Sequence, residues 1–385
     1  MKQFGKKLVA GVCALALTAG AVAAFAACSE NGNDGIRIGV LVSDVSGEEA
    51  VAFRDYYTKY IAPEYGVTFT YTEQLTDAAS EIAAIEQFAG QNYDAIISLS
   101  ASDRASQIEA CEEAGMYYAI ASGMDDNVYE TYKDYDYFVG QIGPSMETEY
   151  QAGLALGQYY ADKIDDSVAI YGAFIPNPMH VYRMAGLLTG LGATYGGATG
   201  EEIVNGIYAD SGVMATKIEL QGVTVSYLAG FGDSTMTEVG TIIATKPDAF
   251  LSVGMATTFF AASLNEAEIP YADIDSFTAT NGTNMQEGSL EYLAGKYTSS
   301  IGPIFAAVYN AINGNKIEDA DGNAISIGQG YWVATSYEQF QLFQTADSAT
   351  NPIYDKELLD TVIGEDITYS QFETFVTTDR TPQEA

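Results

Sequence analysis

Ile36-Arg37-Ile38-Gly39-Val40-Leu41-Val42-Ser43-Asp44 has the form of a buried strand that ends in a small polar loop, and its reading decides the fold. Downstream, Phe53, Tyr56, Tyr57, Tyr60 and Ile61 recur at helical spacing and define one face of a helix expected to stop near Pro63. A strand over Val67–Tyr71 follows, then a helix from Asp77 to Ala89 with Ala78, Ile82, Ile85 and Ala89 on one side. The apolar run Ala95–Leu99 leads into Ser100-Ala101-Ser102-Asp103, where Ser102 or Asp103 can cap a helix that Gly115 ends. Met116–Ala121 is strand-like again. Strands alternating with helices at this spacing predict a parallel sheet covered on both faces.

The alternation restarts after a long helix from about Met146 to Asp162, whose Tyr150–Gly157 stretch is small and apolar enough to pack closely. Strand Val168–Tyr171, helix Val181–Leu191 and strand Val223–Leu228 follow. Then come helix Met236–Thr245 behind a Thr235…Glu238 capping box, strand Ala249–Val253, helical Thr257–Ala267 and strand Ser276–Ala279. Two such halves predict an α/β protein of two Rossmann-like lobes, each a parallel sheet flanked by helices, joined by a hinge. Ligands of open parallel sheets lie beyond the carboxyl ends of the strands, so the cleft should be lined by the loops after each strand. Residues 36–140 are assigned mainly to the first lobe, 141–280 mainly to the second, and 281–335 to a hinge crossover and return segment. The tail 336–385, with Tyr337, Phe340 and Phe343 at helical spacing, is expected to pack on a lobe. Asp319-Ala320-Asp321-Gly322-Asn323 lacks the closing glutamate of a calcium loop and reads as a hairpin turn between Lys316-Ile317 and Ile325–Ile327. The segment Ala193–Glu219 receives no role from its sequence.

Upstream of Ile36, Lys2, Lys6 and Lys7 precede an almost charge-free run from Leu8 to Ala27, the pattern of a bacterial signal peptide over residues 1–27. The run ends in Phe25-Ala26-Ala27-Cys28, which resembles a lipobox with Phe25 where Leu is usual. Cys28 is then the acylated first residue, 28–35 a polar tether, and the protein extracytoplasmic, held to the bacterial cell membrane through its lipid alone. Processing moves the net charge from −36 to −39, which argues against nucleic acid as a partner, and no Lys/Arg cluster offsets it locally. Cys111 is left alone in the folded body, as a small buried hydrophobe. His180 is the single histidine, and there is no Gly-x-Ser-x-Gly elbow, phosphate-binding glycine loop or His/Cys cluster. These features point away from an enzyme, a cofactor and a bound metal.

Between Ile36 and Trp332 the chain resembles the type I periplasmic binding proteins. The resemblance rests on the Ile36–Asp44 opening, Tyr93-Asp94-Ala95-Ile96-Ile97, Glu113-Ala114-Gly115-Met116 and Phe138-Val139-Gly140 leading to Gln151-Ala152-Gly153. Arg183-Met184-Ala185-Gly186, Lys246-Pro247-Asp248-Ala249-Phe250 and Ser300-Ile301-Gly302 before helix Pro303–Asn313 complete it. It implies a monomeric solute-binding lipoprotein that captures a sugar for an ABC transporter permease. Gly172-Ala173-Phe174-Ile175-Pro176 and Ala229-Gly230-Phe231-Gly232-Asp233 instead resemble the basic-membrane-lipoprotein branch, which implies a nucleoside. A ligand sensor for a signalling receptor is a further alternative.

Within the resemblance, Asp44 can accept hydrogen bonds from sugar hydroxyls or a ligand amine, or cap a helix. Asp103 carries the same two readings, whereas Asp125 is either a ligand contact or, with Asp126 beside it, part of a solvated acidic loop. Arg183 is placed to aim a guanidinium into the cleft, with an ion pair to a neighbouring acid as its alternative. Phe174 and Phe231 follow strands where rings can stack on a ligand. Asn281 stands where the family usually has aspartate, and Ser299 or Ser300 where several sugar binders carry glutamine. Gly254-Met255 replaces the usual Asn-Asp pair.

Overall fold

The computed structural model describes residues 35–383 except Ser122, Phe174 and Pro176, so the signal peptide, Cys28 and Phe174 lie outside the described residues. The first lobe forms around β1 (Arg37–Val42), β2 (Thr68–Tyr71), β3 (Ala95–Leu99), β4 (Tyr117–Ala121) and β5 (Phe138–Gly143). The second contains β6 (Ser167–Gly172), a small antiparallel ribbon of β7 (Thr194–Tyr195) and β8 (Ile218–Glu219), then β9 (Thr224–Ala229), β10 (Ala249–Ser252), β11 (Tyr271–Ser276) and β12 (Leu290–Lys296). The chain returns to the first sheet as β13 (Ile325–Gly328) and to the second as β14 (Trp332–Ala334). Spatial order is β13-β5-β4-β3-β1-β2 in one sheet and β14-β12-β11-β10-β6-β9 in the other. All pairings in the two sheets are parallel except β12 with β14. This is the type I periplasmic binding protein architecture, with each lobe's strand order reversing beside its first strand.

Several local readings are corrected. The helix does end near Pro63, at left-handed Gly66, but by an irregular route: Glu48–Asp55 continues through a π-helical stretch, Tyr56–Ile61, into Ala62–Tyr65. The wider stretch carries the Ala62 N–H to the Tyr57 carbonyl and leaves Pro63 in the first turn of the closing segment, where its missing N–H is tolerated. The strand expected at Ser276–Ala279 is β11, five residues earlier at its start, because Asp273 and Asp275 obscure its apolar alternation. Thr235 caps nothing: the helix starts at Asp233 and the Thr235 hydroxyl donates to the Ala229 carbonyl. Lys316-Ile317 forms no strand, so residues 319–323 make a turn held by Asp319 but no hairpin, and β13 pairs with β5 instead.

Two features set the frame for the site. Helices Met146–Tyr160 and Pro178–Gly190 touch backbone to backbone through Gly153, Gly157, Gly186 and Gly190; a Cβ on Gly153 would sit 1.9 Å from the Arg183 carbonyl oxygen. The tail meets both lobes. Helix Tyr337–Ala346 packs on helix Ala279–Gln286, and helices Lys356–Asp360 and Tyr369–Thr377 then pack on helix Gly302–Ile312 and on β13 of the first lobe. The Tyr56 hydroxyl donates to the Tyr354 carbonyl, and Tyr297 stacks on Trp332 with ring centres 4.0 Å apart, so the crossover side of the cleft is aromatic and buried. Residues 194–219 form the β7–β8 ribbon around helix Glu202–Ala209, which packs on helix Pro178–Gly190. Cys111 is fully buried, and burial pushes its thiol pKa up.

Candidate functional site

The carboxyl ends of the strands meet at a cavity of about 530 Å³ lined from both lobes. The first lobe supplies the turn after β1, with Asp44, Gly47, Glu48 and Glu49. The second supplies Met255, Thr257 and Thr258 after β10, Asp275 and Ser276 at the end of β11, and Thr278, Thr280 and Asn281 at the next helix start. Among the described residues no lysine or arginine lines this cavity. Its rim is bridged twice. Glu48 accepts from the Thr280 hydroxyl at 2.5 Å and the Thr280 N–H at 3.2 Å, and Glu49 pairs with Lys296 at 3.0 Å.

Asp44 and Asn281 are brought together by this cavity. Asp44 is exposed and accepts from the N–H groups of Ser46 (2.9 Å) and Gly47 (3.0 Å), which hold its pKa below the usual carboxylate range. Asn281 is buried in the first turn of helix Ala279–Gln286, and its amide donates to the Ser276 carbonyl at 2.7 Å. Burial works against ionisation of Glu48, but the Thr280 hydrogen bonds outweigh it and lower the pKa. The cavity therefore presents charged carboxylates from the first lobe to hydroxyl, amide and carboxylate groups of the second.

Asp103 and Asp125 cap helices and do not line this cavity. Asp103 accepts from the Ser106 N–H (3.1 Å) and hydroxyl (2.7 Å), and Asp125 from the Val128 N–H (3.2 Å). Both loops are fastened from behind. Buried Glu81 takes the Ser100 hydroxyl, the N–H groups of Ser102 and Asp103, and the Gln107 amide, while Gln141 accepts from the Asp125 N–H. Arg104, at the first lobe's carboxyl edge beside Gly123, keeps a buried Nε without a hydrogen-bond partner. Phe231 is half-buried, its ring 4.8 Å from that of Phe259.

Arg183 is enclosed in the second lobe and is not a lining residue of the cavity. Its Nε donates to Glu149 at 2.6 Å, Nη1 to the carbonyls of Val253 (2.9 Å) and Ile274 (3.2 Å), and Nη2 to the Tyr331 hydroxyl at 2.9 Å. Four of its five N–H donors thus have protein acceptors. The glycine-mediated helix contact sets Glu149 beside Arg183, and Tyr331 arrives from the segment linking β13 to β14. The same crowding explains Gly254: with φ +156, a Cβ there would lie 2.9 Å from the His180 ring and 3.4 Å from Arg183 Nη1. Met255 follows with φ +71, a strained backbone at the cavity wall. Ser299 is also engaged elsewhere: its N–H and hydroxyl donate to buried Asp347, whose pKa burial pushes up to about 6.

Sequence reasoning missed Thr257, Asp273 and Asp275. Asp273 and Asp275 are alternate residues of β11 and share one face, and the Thr257 hydroxyl reaches both, at 2.7 and 3.2 Å. Burial, with the neighbouring Asp275, pushes Asp273 up to about 7; burial, with Glu49 next, also raises Asp275. The available signal was Asp-Ile-Asp inside an otherwise strand-like run. Among the described residues no group of three or more His, Cys, Asp or Glu could hold a metal ion.

No protein-family model matches the sequence, and no curated protein does. Solved structures do resemble it. An ABC transporter solute-binding protein from Bacillus halodurans C-125 with bound myo-inositol aligns with TM-score 0.58 and 20% identity, covering 82% of this chain and 100% of that one. A periplasmic solute-binding protein from Actinobacillus succinogenes 130z with bound D-allose gives 0.58 and 13%, covering 80% and 99%. The arabinose-transporter component from Shewanella sp. ANA-3, bound to L-arabinofuranose, gives 0.56 and 16%, covering 79% and 93%. At these identities the likeness establishes the fold.

Proposed function

We propose that this protein captures a small polar solute, a monosaccharide or related polyol first, between its lobes and delivers it unchanged to an ABC transporter permease. The observation that carries the reading is the cavity of about 530 Å³ at the carboxyl ends of both sheets, within the usual size of small-molecule sites. Its hydroxyl, amide and carboxylate lining suits a ligand rich in hydroxyl donors. The neighbours named above hold myo-inositol, D-allose and L-arabinofuranose, which supports the same class. Nucleosides are the second class, because Phe231 and Phe259 set two rings near the carboxyl edge of the second lobe. Exposure outside the cell as a monomer anchored through Cys28 belongs to this proposal.

The test is thermal shift on the processed protein against sugars, polyols, nucleosides and amino acids. A ligand at a hundred times its Kd should add about 2.7 kcal/mol to stability. A panel without any shift would overturn the reading. Labelling with a fatty-acid analogue checks the anchor, since wild type should be marked and Cys28→Ser should not.

A further inference from the structure

The space between the lobes continues beyond the cavity at the strand ends. Glu48, Glu49, Ser276 and Thr278, which line that cavity, also line a narrower space of about 130 Å³ beside Phe53 and Lys296. Ala52, Phe277, Ala279 and Thr298 carry the wall of the narrow space onward into a second chamber of about 520 Å³, nearly as large as the first. Glu48 lines all three, so they form one path, with the Glu48–Thr280 and Glu49–Lys296 bridges along its first step. The far chamber takes Val51 and Asp55 from the helix after β1, Phe277 from the segment after β11, and Gln344, Ser348 and Ala349 from the tail. A cavity by itself marks no ligand. The second observation is the ring of Phe277, which is half-buried and belongs to the walls of both the narrow space and the far chamber. Phe343, Phe340 and Trp332 brace it, with ring centres 5.3, 5.7 and 6.4 Å away. Such a ring keeps its orientation without a ligand. An apolar ring bordered by polar groups suits the C–H face of a sugar, whose hydroxyls can then reach the Gln344 amide and the Ser348 hydroxyl. Helix Tyr337–Ala346 serves both ends of this arrangement: its Phe340 and Phe343 brace the ring, and its last turn supplies Gln344 to the chamber.

We infer that the ligand is a disaccharide: one sugar lies in the cavity at the strand ends, and the second lies past Glu48 in the chamber walled by the tail, with its face on Phe277. The inference rests on the solute-capture reading and sets the size of what is captured. Each chamber has the volume of a small-molecule site, and a ligand confined to the first would leave the braced ring and the tail-built wall without a role in binding.

Titration calorimetry on the processed protein tests this by comparing monosaccharides with the disaccharides they compose. The tightest ligand should be a disaccharide, about tenfold or more tighter than the better of its two units. Ala349→Trp and, separately, Gln344→Trp put a bulky ring into the far chamber from the tail. Each should remove the disaccharide's advantage while the monosaccharide keeps its affinity, and an unchanged melting temperature without ligand shows that the variant folds. A monosaccharide that binds as tightly as every disaccharide containing it overturns the inference and leaves solute capture standing. So does a disaccharide advantage that survives both tryptophan variants, an equal loss for both sugars, or binding confined to solutes other than sugars. Binding of no solute at all overturns both.

Discussion

The two lobes share a strand order, but the carboxylates that follow the first lobe's strands and the buried charges of the second are held by bonds of different reach. In the first, Asp44, Asp103 and Asp125 accept from backbone N–H groups two or three residues ahead. In the second, Asp273 reaches Thr257 across 16 residues, and Arg183 reaches Glu149 across 34, Val253 across 70 and Tyr331 across 148. The first arrangement is local, partly solvated and cheap to lose. The second removes charges from water and holds them only while every partner is present. Of these first-lobe aspartates only Asp44 reaches the cavity, on a short tether, whereas the second lobe holds Asp273 and Arg183 behind its wall through distant segments.

Arg183→Ala gives the largest expected effect. It strands a buried Glu149 and should cost about 3–5 kcal/mol in denaturant unfolding, with Arg183→Lys recovering only part because an ammonium lacks the planar fork. A loss below about 1 kcal/mol would mean the guanidinium is solvated, and would return Arg183 to the ligand-facing role its sequence position suggests.

Next in size is a pH effect from Asp273 and Asp347, whose folded pKa values, about 7 and about 6, stand above the ordinary carboxylate range. The native state then keeps protons that the unfolded chain releases. Stability contributed by these groups is full below pH about 4 and falls as pH rises towards about 7, by at most about 1.4 kcal/mol per pH unit for each group. Asp273→Asn should flatten this slope in melting curves from pH 4 to 8, and an unchanged slope would show that Asp273 ionises freely. The smallest effect belongs to the first lobe: Asp103→Ala should cost about 1 kcal/mol, the value of one helix cap, and leave ligand affinity as it was. A loss of affinity with stability intact would place Asp103 in the site and dissolve the contrast between the lobes.

The alternation of strand and helix, the lobed α/β class, the cap at Asp103 and the apolar face through Phe340 and Phe343 were legible because each depends on residues within a few positions of one another. So was Asp44 as a group at the first strand's end. What escaped has a common cause. The π-helical stretch that leads the first helix to its end near Pro63 carries no local signal, and Tyr271–Ser276 hides as a strand because two acids interrupt its alternation.

By itself, the sequence determined which segments become strands and helices around two sheets, since that follows from local periodicity and turn chemistry. Whether a given polar residue faces the ligand or the interior was decided only by tertiary structure. Asp44 and Arg183 carry equally plausible charges for a cleft. The backbone contact at Gly153 and Gly186 sets Arg183 beside Glu149, and the turn after β1 leaves Asp44 exposed on the cavity wall. Such outcomes depend on which distant groups arrive to share a buried charge, and pairings across tens of residues leave no period in the chain to read.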